Sequence, residues 1–240
     1  MSNNPLYQQL YLRLKKLIRS GEYEVGYFLP TEEELQQEYN VSRTTVRKAI
    51  AMLASEGYVE VTRGRGTQVL DFRYTQNLNH VTSTSEALRR KGHTVTAKSV
   101  FVDEIEADEK RSKSLGIPLG TKIYRIQRVQ LADNVPIAIM ENYLDVRIAP
   151  NLKEEASLAF SLYNTLEKSY GIHLDSVQDF IGAKTADFYE AELLGVKVGA
   201  ALLVIRRVAF SAGKPISYDK ATMRADRFEF ETASAGRKYF

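Results

Sequence analysis

The 240-residue chain contains no cysteine. That excludes disulfides, thiolate zinc sites, iron–sulfur clusters and thiol nucleophiles together, and it suits a reducing compartment. A large charge excess is also missing. Lys+Arg total 33 against 30 Asp+Glu, a balance of +3, so any basic signal must come from clustering. No apolar run approaches the roughly 20 residues that a membrane helix needs. The longest apolar-rich stretch, Ala200 to Phe210, is broken by Arg206 and Arg207. The opening MSNNPLYQQLYLRLKK has neither the apolar segment nor the small-residue cleavage site of a signal peptide. The expectation is a cytoplasmic protein with no membrane partner. Histidine is scarce: His80, His93 and His173 fit no metal or triad spacing, and no nucleophile motif is present. No catalytic residue, metal or cofactor is expected. What remains is ordinary globular material, 44% hydrophobic and 26% charged, enough for one large domain or two small ones.

The first 70 residues are periodic and punctuated by turn signals. A first helix, from about Pro5 to Ser20, carries Leu6, Leu10, Leu14, Leu17 and Ile18 on one face, and Gly21 ends it. Thr31-Glu32-Glu33-Glu34 reads as a capping box opening a second helix, with Leu35 and Tyr39 facing inward and Asn40 as its stop. After the tight turn Asn40-Val41-Ser42, Ser42 caps a third helix whose buried stripe is Val46, Ala49, Ile50 and Leu53. Its other face shows Arg43 and Arg47, with Thr44, Thr45 and Lys48 beside them. This is a helix-turn-helix pattern, in which the second helix enters the major groove. Arginine there can bond two acceptors of a guanine at once. Two short alternating strands follow, around Arg63-Gly64-Arg65-Gly66, and read as a wing suited to phosphates or a minor groove. From Ser42 to Gly66 the chain carries five basic and two acidic residues. The whole chain's +3 therefore sits on one local face. Gly64-x-Gly66 lacks the Gly-Lys-Ser/Thr of a P-loop, so it is not a nucleotide site.

Asp71 to Glu86 is polar and aperiodic and reads as a linker, 71–86, between a 1–70 DNA-binding domain and an 87–240 effector-binding and dimerisation domain. The second domain contains a duplication. With a shift of 79 positions, 107–137 matches 186–216 without gaps at 10 of 31 positions, including Arg128/Arg207. Each copy reads as a short helix, a Gly-x-x-x-Gly turn and a β-hairpin. The hairpin turns fall at Asp133-Asn134 and Ala212-Gly213. Two such units predict an α+β domain with one largely antiparallel sheet carrying helices.

The motifs PLYQQL, LPTEEEL, VSRTTVRKAIA, EGYV and RGRGT resemble the GntR-type winged helix-turn-helix regulators, over roughly Pro5–Val69. The stretches SEALRRKG, LGIPLGTKIYRIQRVQLADNVPIA, ENYLD, SLYNTLEKSYGI and AELLGVKVGAALLVIRRV resemble the HutC-like branch, whose UTRA domain has a chorismate-lyase-like fold. The resemblance implies a homodimeric repressor that binds a palindromic DNA operator and is released by a small metabolite. It adds Thr31 and Glu32, at the start of the second helix, to the expected DNA contacts Ser42, Arg43, Thr44, Thr45, Arg47, Lys48, Arg63, Gly64, Arg65 and Gly66. It also implies an effector site at Arg128, Gln130, Glu141, Ser161 and Tyr163. Gln130 stands where relatives carry a second arginine, so an effector with at most one localised anionic group is expected. The candidate effectors are a polyol, an amino sugar, a carboxylate or a sugar phosphate. An enzyme or a purely oligomerising module would have no use for five basic residues at groove-reading positions.

Overall fold

The computed structural model describes residues 5–154, 161–234 and 236. The chain divides into two compact units, Met1–Arg73 and Tyr74–Phe240.

Unit one comprises helices α1 (Leu6–Ser20), α2 (Glu32–Tyr39) and α3 (Arg43–Ser55) and a hairpin of β1 (Val59–Thr62) and β2 (Gly66–Val69). Leu14, Leu35, Val46, Ala49 and Leu53 are fully buried in its core, with Tyr58 closing it from the hairpin side. The capping box forms as expected: the Thr31 hydroxyl accepts from the Glu34 N–H, and the Glu34 carboxylate accepts from the Thr31 N–H. Such a cap stabilises its helix by about 1 kcal/mol.

Unit two is built on a six-stranded antiparallel sheet. Its strands are β4 (Val95–Glu106), β5 (Lys122–Ala132), β6 (Val135–Asp145), β7 (Ser176–Thr185), β8 (Ala201–Ser211) and β9 (Lys214–Arg224), in the order β4-β5-β6-β9-β8-β7. The duplication is visible in this order, because β4-β5-β6 and β7-β8-β9 are equivalent halves joined where β6 pairs with β9. Both hairpin turns are tight, with positive φ at Asp133 and Asn134 (48° and 66°) and at Ala212 and Gly213 (49° and 72°). Helices α5 (Glu109–Leu115) and α7 (Phe188–Leu194) pack on one face, over Ile123, Tyr143 and Val208 and over Val129, Ile139 and Leu202. The other face carries α4 (Thr84–Arg90) and α6 (Leu162–Tyr170), with Leu88, Leu162 and Leu166 buried against it.

The segment expected to be a linker, 71–86, belongs mostly to unit two. Tyr74–Asn77 forms β3, paired in parallel with β10 (Phe228–Glu231), and Ser83 caps α4 through a second capping box with Glu86. A four-residue strand whose partner lies at the far end of the chain has no local signature, so the segment looks aperiodic in sequence.

The pairing of β6 with β9 sets Glu141 directly opposite Lys220, its equivalent in the duplication. These residues therefore mark the pseudo-two-fold axis, and they pair with each other at 2.8 Å. Burial pushes the Glu141 carboxyl up, but bonds donated by Lys220 and by the Tyr143 hydroxyl (2.7 Å) outweigh it and hold Glu141 below its usual range. A carboxylate depressed in the folded state adds stability at neutral pH, and that stability is lost as pH falls through the folded value. Glu141→Gln is expected to cost no more than ~1 kcal/mol at pH 7, because solvent still reaches the pair. It should also flatten the loss of thermal stability below about pH 4.5. Melting curves offset equally at every pH would contradict this role.

Candidate functional site

The exposed face of α3 follows from its buried one. With Val46, Ala49, Ile50 and Leu53 turned inward, Arg43, Thr44, Arg47 and Lys48 face solvent. The side chains of Arg43 and Arg47 are 72% and 69% exposed. Asn40 turns the chain at a left-handed φ of 50°, and the Ser42 hydroxyl caps α3 by accepting from the Thr45 N–H. The Ser42 and Thr45 hydroxyls share a further bond of 2.9 Å. Glu32, in the first turn of α2, lies between the two arginines. Its carboxylate is 2.9 Å from Arg43 Nε and 3.8 Å from Arg47 Nε. Pairs this exposed add little stability. What they do is orient: one carboxylate fixed by a capped helix anchors two long side chains.

The wing turn presents Arg63, Gly64, Arg65 and Gly66, all exposed. Gly66 has φ 118°, and a Cβ there would sit 3.2 Å from the Phe28 ring, so any other residue is strained at this turn. The Arg65 guanidinium lies 5.8 Å from the centre of the same ring. Leu29 N–H donates to the Thr67 carbonyl, so the chain before α2 braces the wing. The expected DNA contacts thus fall on three neighbouring pieces of unit one: the start of α2 (Thr31, Glu32), the exposed side of α3 and the wing turn. Glu32, being acidic, serves there by holding Arg43 and Arg47.

In unit two a cavity opens on the sheet face that carries α4 and α6. Two rows of the sheet, all but Ile126, form its floor. One runs Arg128–Met140–Ala221–Ile205, the next Ile126–Asn142–Asp219–Arg207. The pseudo-two-fold exchanges these rows, and so brings the duplicated arginines to opposite sides of one cavity. Gln76 of β3, Ser83, Thr84 and Ser85 at the start of α4, and Leu162 and Tyr163 of α6 complete the wall.

The two arginines differ in their partners. Arg207 is clamped by both oxygens of Asp179, each at 2.6 Å, and donates to the Thr82 carbonyl at 2.9 Å. Arg128 is 4% exposed and donates to the Asn142 side-chain carbonyl at 2.8 Å, while its Nε has no partner among the described residues. Burial pulls the Arg128 guanidinium down to about 10, against the nearby charge of Asp219. The duplication explains the difference. The position equivalent to Asp179 is Val100, on β4, where the register shifts between Lys98 and Phe101. Asp219 accepts from the Tyr163 hydroxyl (2.6 Å), Asn142 (2.7 Å) and Ser217 (3.1 Å). Burial pushes its carboxyl up, and these bonds oppose the shift.

Of the residues expected to bind an effector, Arg128 and Tyr163 line this cavity. Glu141 does not. It lies on the opposite sheet face, engaged by Lys220 and Tyr143, because alternate strand residues point to opposite faces. Gln130 shares the face of Arg128 but sits one row further along, opposite Ala138, and is buried outside the cavity. Ser161 caps α6 and donates to Glu86 at 3.0 Å, tying α6 to the start of α4 behind the cavity wall. Sequence reading misses Asn142, Asp219, Gln76 and the Ser83–Ser85 turn. Arg207 could have been found, since the duplication pairs it with Arg128.

The contrast between the arginines has a measurable consequence. Arg207→Met should cost ~3–5 kcal/mol in denaturant unfolding, because it strands the Asp179 carboxylate. Arg128→Met should cost less than that, because Arg128 is bonded to the neutral Asn142 and meets the charge of Asp219 only without a direct bond. Equal losses in the two variants would show that Arg128 is as fully compensated as Arg207.

No helix among the described residues is long and apolar enough to cross a membrane, and no group of three or more His, Cys, Asp and Glu among them could hold a metal ion. Residues 6–69 match the gntR family of bacterial regulatory proteins, and residues 90–229 match the UTRA domain. The HTH-type transcriptional repressor NagR of Bacillus subtilis is 30% identical over 227 residues, covering 94% of this chain and 93% of the relative. The mannosyl-D-glycerate transport/metabolism system repressor MngR of Escherichia coli is 28% identical and covers 99% of both. The crystal structure of PhnF from Mycobacterium smegmatis superimposes with a TM-score of 0.67 at 27% identity, covering 95% of this chain and all of that one. With a winged helix-turn-helix ahead of a sheet domain that holds a cavity, the chain belongs to the gntR family, as a DNA-binding transcriptional regulator with a UTRA effector domain and not an enzyme.

Proposed function

We propose that this protein is a cytoplasmic repressor that binds a palindromic operator as a homodimer and releases it when a small hydroxylated metabolite with one anionic group fills the unit-two cavity. The observation that carries the effector reading is Arg128: a buried guanidinium in a cavity wall, free of a clamping carboxylate where its duplicate has one. A carboxylate or phosphate would complete it by charge-assisted bonds. Asn142, Thr84, Ser85 and Gln76 offer partners for hydroxyls. The neutral side chain of Gln130 has no bearing on this, because it lies outside the cavity. A single unclamped arginine favours one anionic group over a neutral polyol or amino sugar. The mannosyl-D-glycerate named for MngR is a hydroxylated carboxylate of this type.

Occupancy reaches the DNA through the segment joining the two units. Gln76 and Ser83–Ser85 line the cavity and follow unit one directly in sequence. A ligand that prefers a different placement of this segment shifts the population away from the arrangement that matches two half-sites.

Arg43→Ala should weaken operator binding by about 1–3 kcal/mol with little change in unfolding, since its side chain is exposed. Arg65→Ala should lower the salt-dependence slope by about one if it meets a phosphate. For the switch, the operator-bound protein is titrated with sugar acids and sugar phosphates. Arg128→Gln should keep operator affinity but require at least ~10-fold more effector for release, while Glu141→Gln releases normally. Normal release of the Arg128 variant would remove the arginine from the effector site.

A further inference from the structure

The floor of the unit-two cavity is not polar throughout. The row that begins at Arg128 runs on through Met140, Ala221 and Ile205, three apolar side chains on the neighbouring strands β6, β9 and β8. Leu162 of α6 adds a fourth on the wall. Ala221 and Ile205 belong to the hydrophobic cluster that holds Leu88 and Met223, and Met140 packs against it. One side of the cavity is therefore made of the same apolar surface as the core.

The polar lining spends its bonds largely on itself. Asn142 accepts from Arg128 at 2.8 Å and donates to Asp219 at 2.7 Å. Asp219 accepts in addition from Tyr163 and Ser217. Arg207 is committed to Asp179 and to the Thr82 carbonyl, and Thr84 donates to Gln76 at 3.4 Å. Against this background Arg128 Nε has no partner among the described residues. A ligand that presented hydroxyls on every side would have to break these bonds to pair them, and a hydroxyl stripped of water and left unpaired is costly. An apolar group laid on Met140, Ala221 and Ile205 leaves the network whole and gains by leaving water.

We propose that the effector is amphiphilic: beside the anionic group held by Arg128 it carries an apolar group of a few carbons, branched alkyl or aryl, seated on Met140, Ala221 and Ile205 and against Leu162. The inference rests on the single-anion effector reading above and adds the chemistry of the ligand's other end. Ala221 sets the room for that group, because it is the smallest side chain of the row and stands between the two larger apolar ones.

The full-length protein provides the test, by isothermal titration calorimetry with a series that varies one end of the ligand at a time. Lactate, 2-hydroxyisocaproate and 3-phenyllactate share a hydroxyl and a carboxylate and differ in the apolar group. The diol 4-methylpentane-1,2-diol is 2-hydroxyisocaproate with a neutral hydroxymethyl group in place of the carboxylate. The two apolar hydroxy acids should bind at least ~10-fold more tightly than lactate, and the diol at least ~10-fold more weakly than its acid. Ala221→Ile fills the space between Met140 and Ile205 and should bring the three acids within about 3-fold of one another, with circular dichroism to show that the variant is folded. Apolar hydroxy acids that bind no tighter than lactate, or that do not bind at all, would overturn the amphiphilic effector, as would an undiminished preference in folded Ala221→Ile. A diol as tight as its acid would overturn the single-anion reading and leave the apolar seat standing.

Discussion

The effector unit depends on the pairing of β6 with β9. This contact joins the two duplicated half-sheets edge to edge and fixes their register, with Glu141 opposite Lys220. Register then decides everything on the faces. A slip of one residue would turn every side chain of one half to the wrong side, separating Asn142 from Asp219. That the axis itself carries two equivalent positions of opposite charge is an economical solution. A two-fold contact between identical halves would set like against like, and the divergence of Glu141 from Lys220 turns repulsion into attraction.

The duplicated arginines have diverged in their partners, one clamped by a carboxylate and the other open to the cavity. Arg207 is held by Asp179 and by the Thr82 carbonyl, and so helps fix the turn that leads into α4. Arg128 has Val100 where Arg207 has that acid, and among the described residues its bonded partner is Asn142. Burying a cation with no carboxylate bonded to it works against stability, and the nearby charge of Asp219 only partly offsets this. In a cavity wall such a cation suits the anionic effector proposed above. Asp219, also buried, sets a limit on the occupant, since a ligand carrying several negative charges would meet it across the floor.

Unit one is legible in the sequence because each of its signals is local. Thr31 and Glu34 are three residues apart, Asn40 and Ser42 bracket a tight turn, and the α3 stripe repeats at helical spacing. The duplication, both hairpin turns and the Arg128/Arg207 equivalence are legible for the same reason. What is not legible depends on partners distant in sequence. β3 has a strand partner only in β10, so the segment around Tyr74–Asn77 reads as a linker. Glu141 matches a family motif, yet which sheet face it occupies is set by strand parity that a motif does not encode. Asp219 and Asn142 become neighbours only when β6 meets β9.

The parallel pairing of β3 with β10 ties the beginning of unit two to its last strand. The order in which the chain is made then matters. Unit one has all its contacts once residue 73 has emerged, and it can fold while the rest is still being synthesised. Gln76, a wall of the cavity, takes its place only after Phe228–Glu231 arrive. A nascent or C-terminally clipped chain would therefore carry a finished DNA-reading unit and an unfinished sensor. Losing β10 would take away the strand that places a wall of the cavity and leave unit one whole.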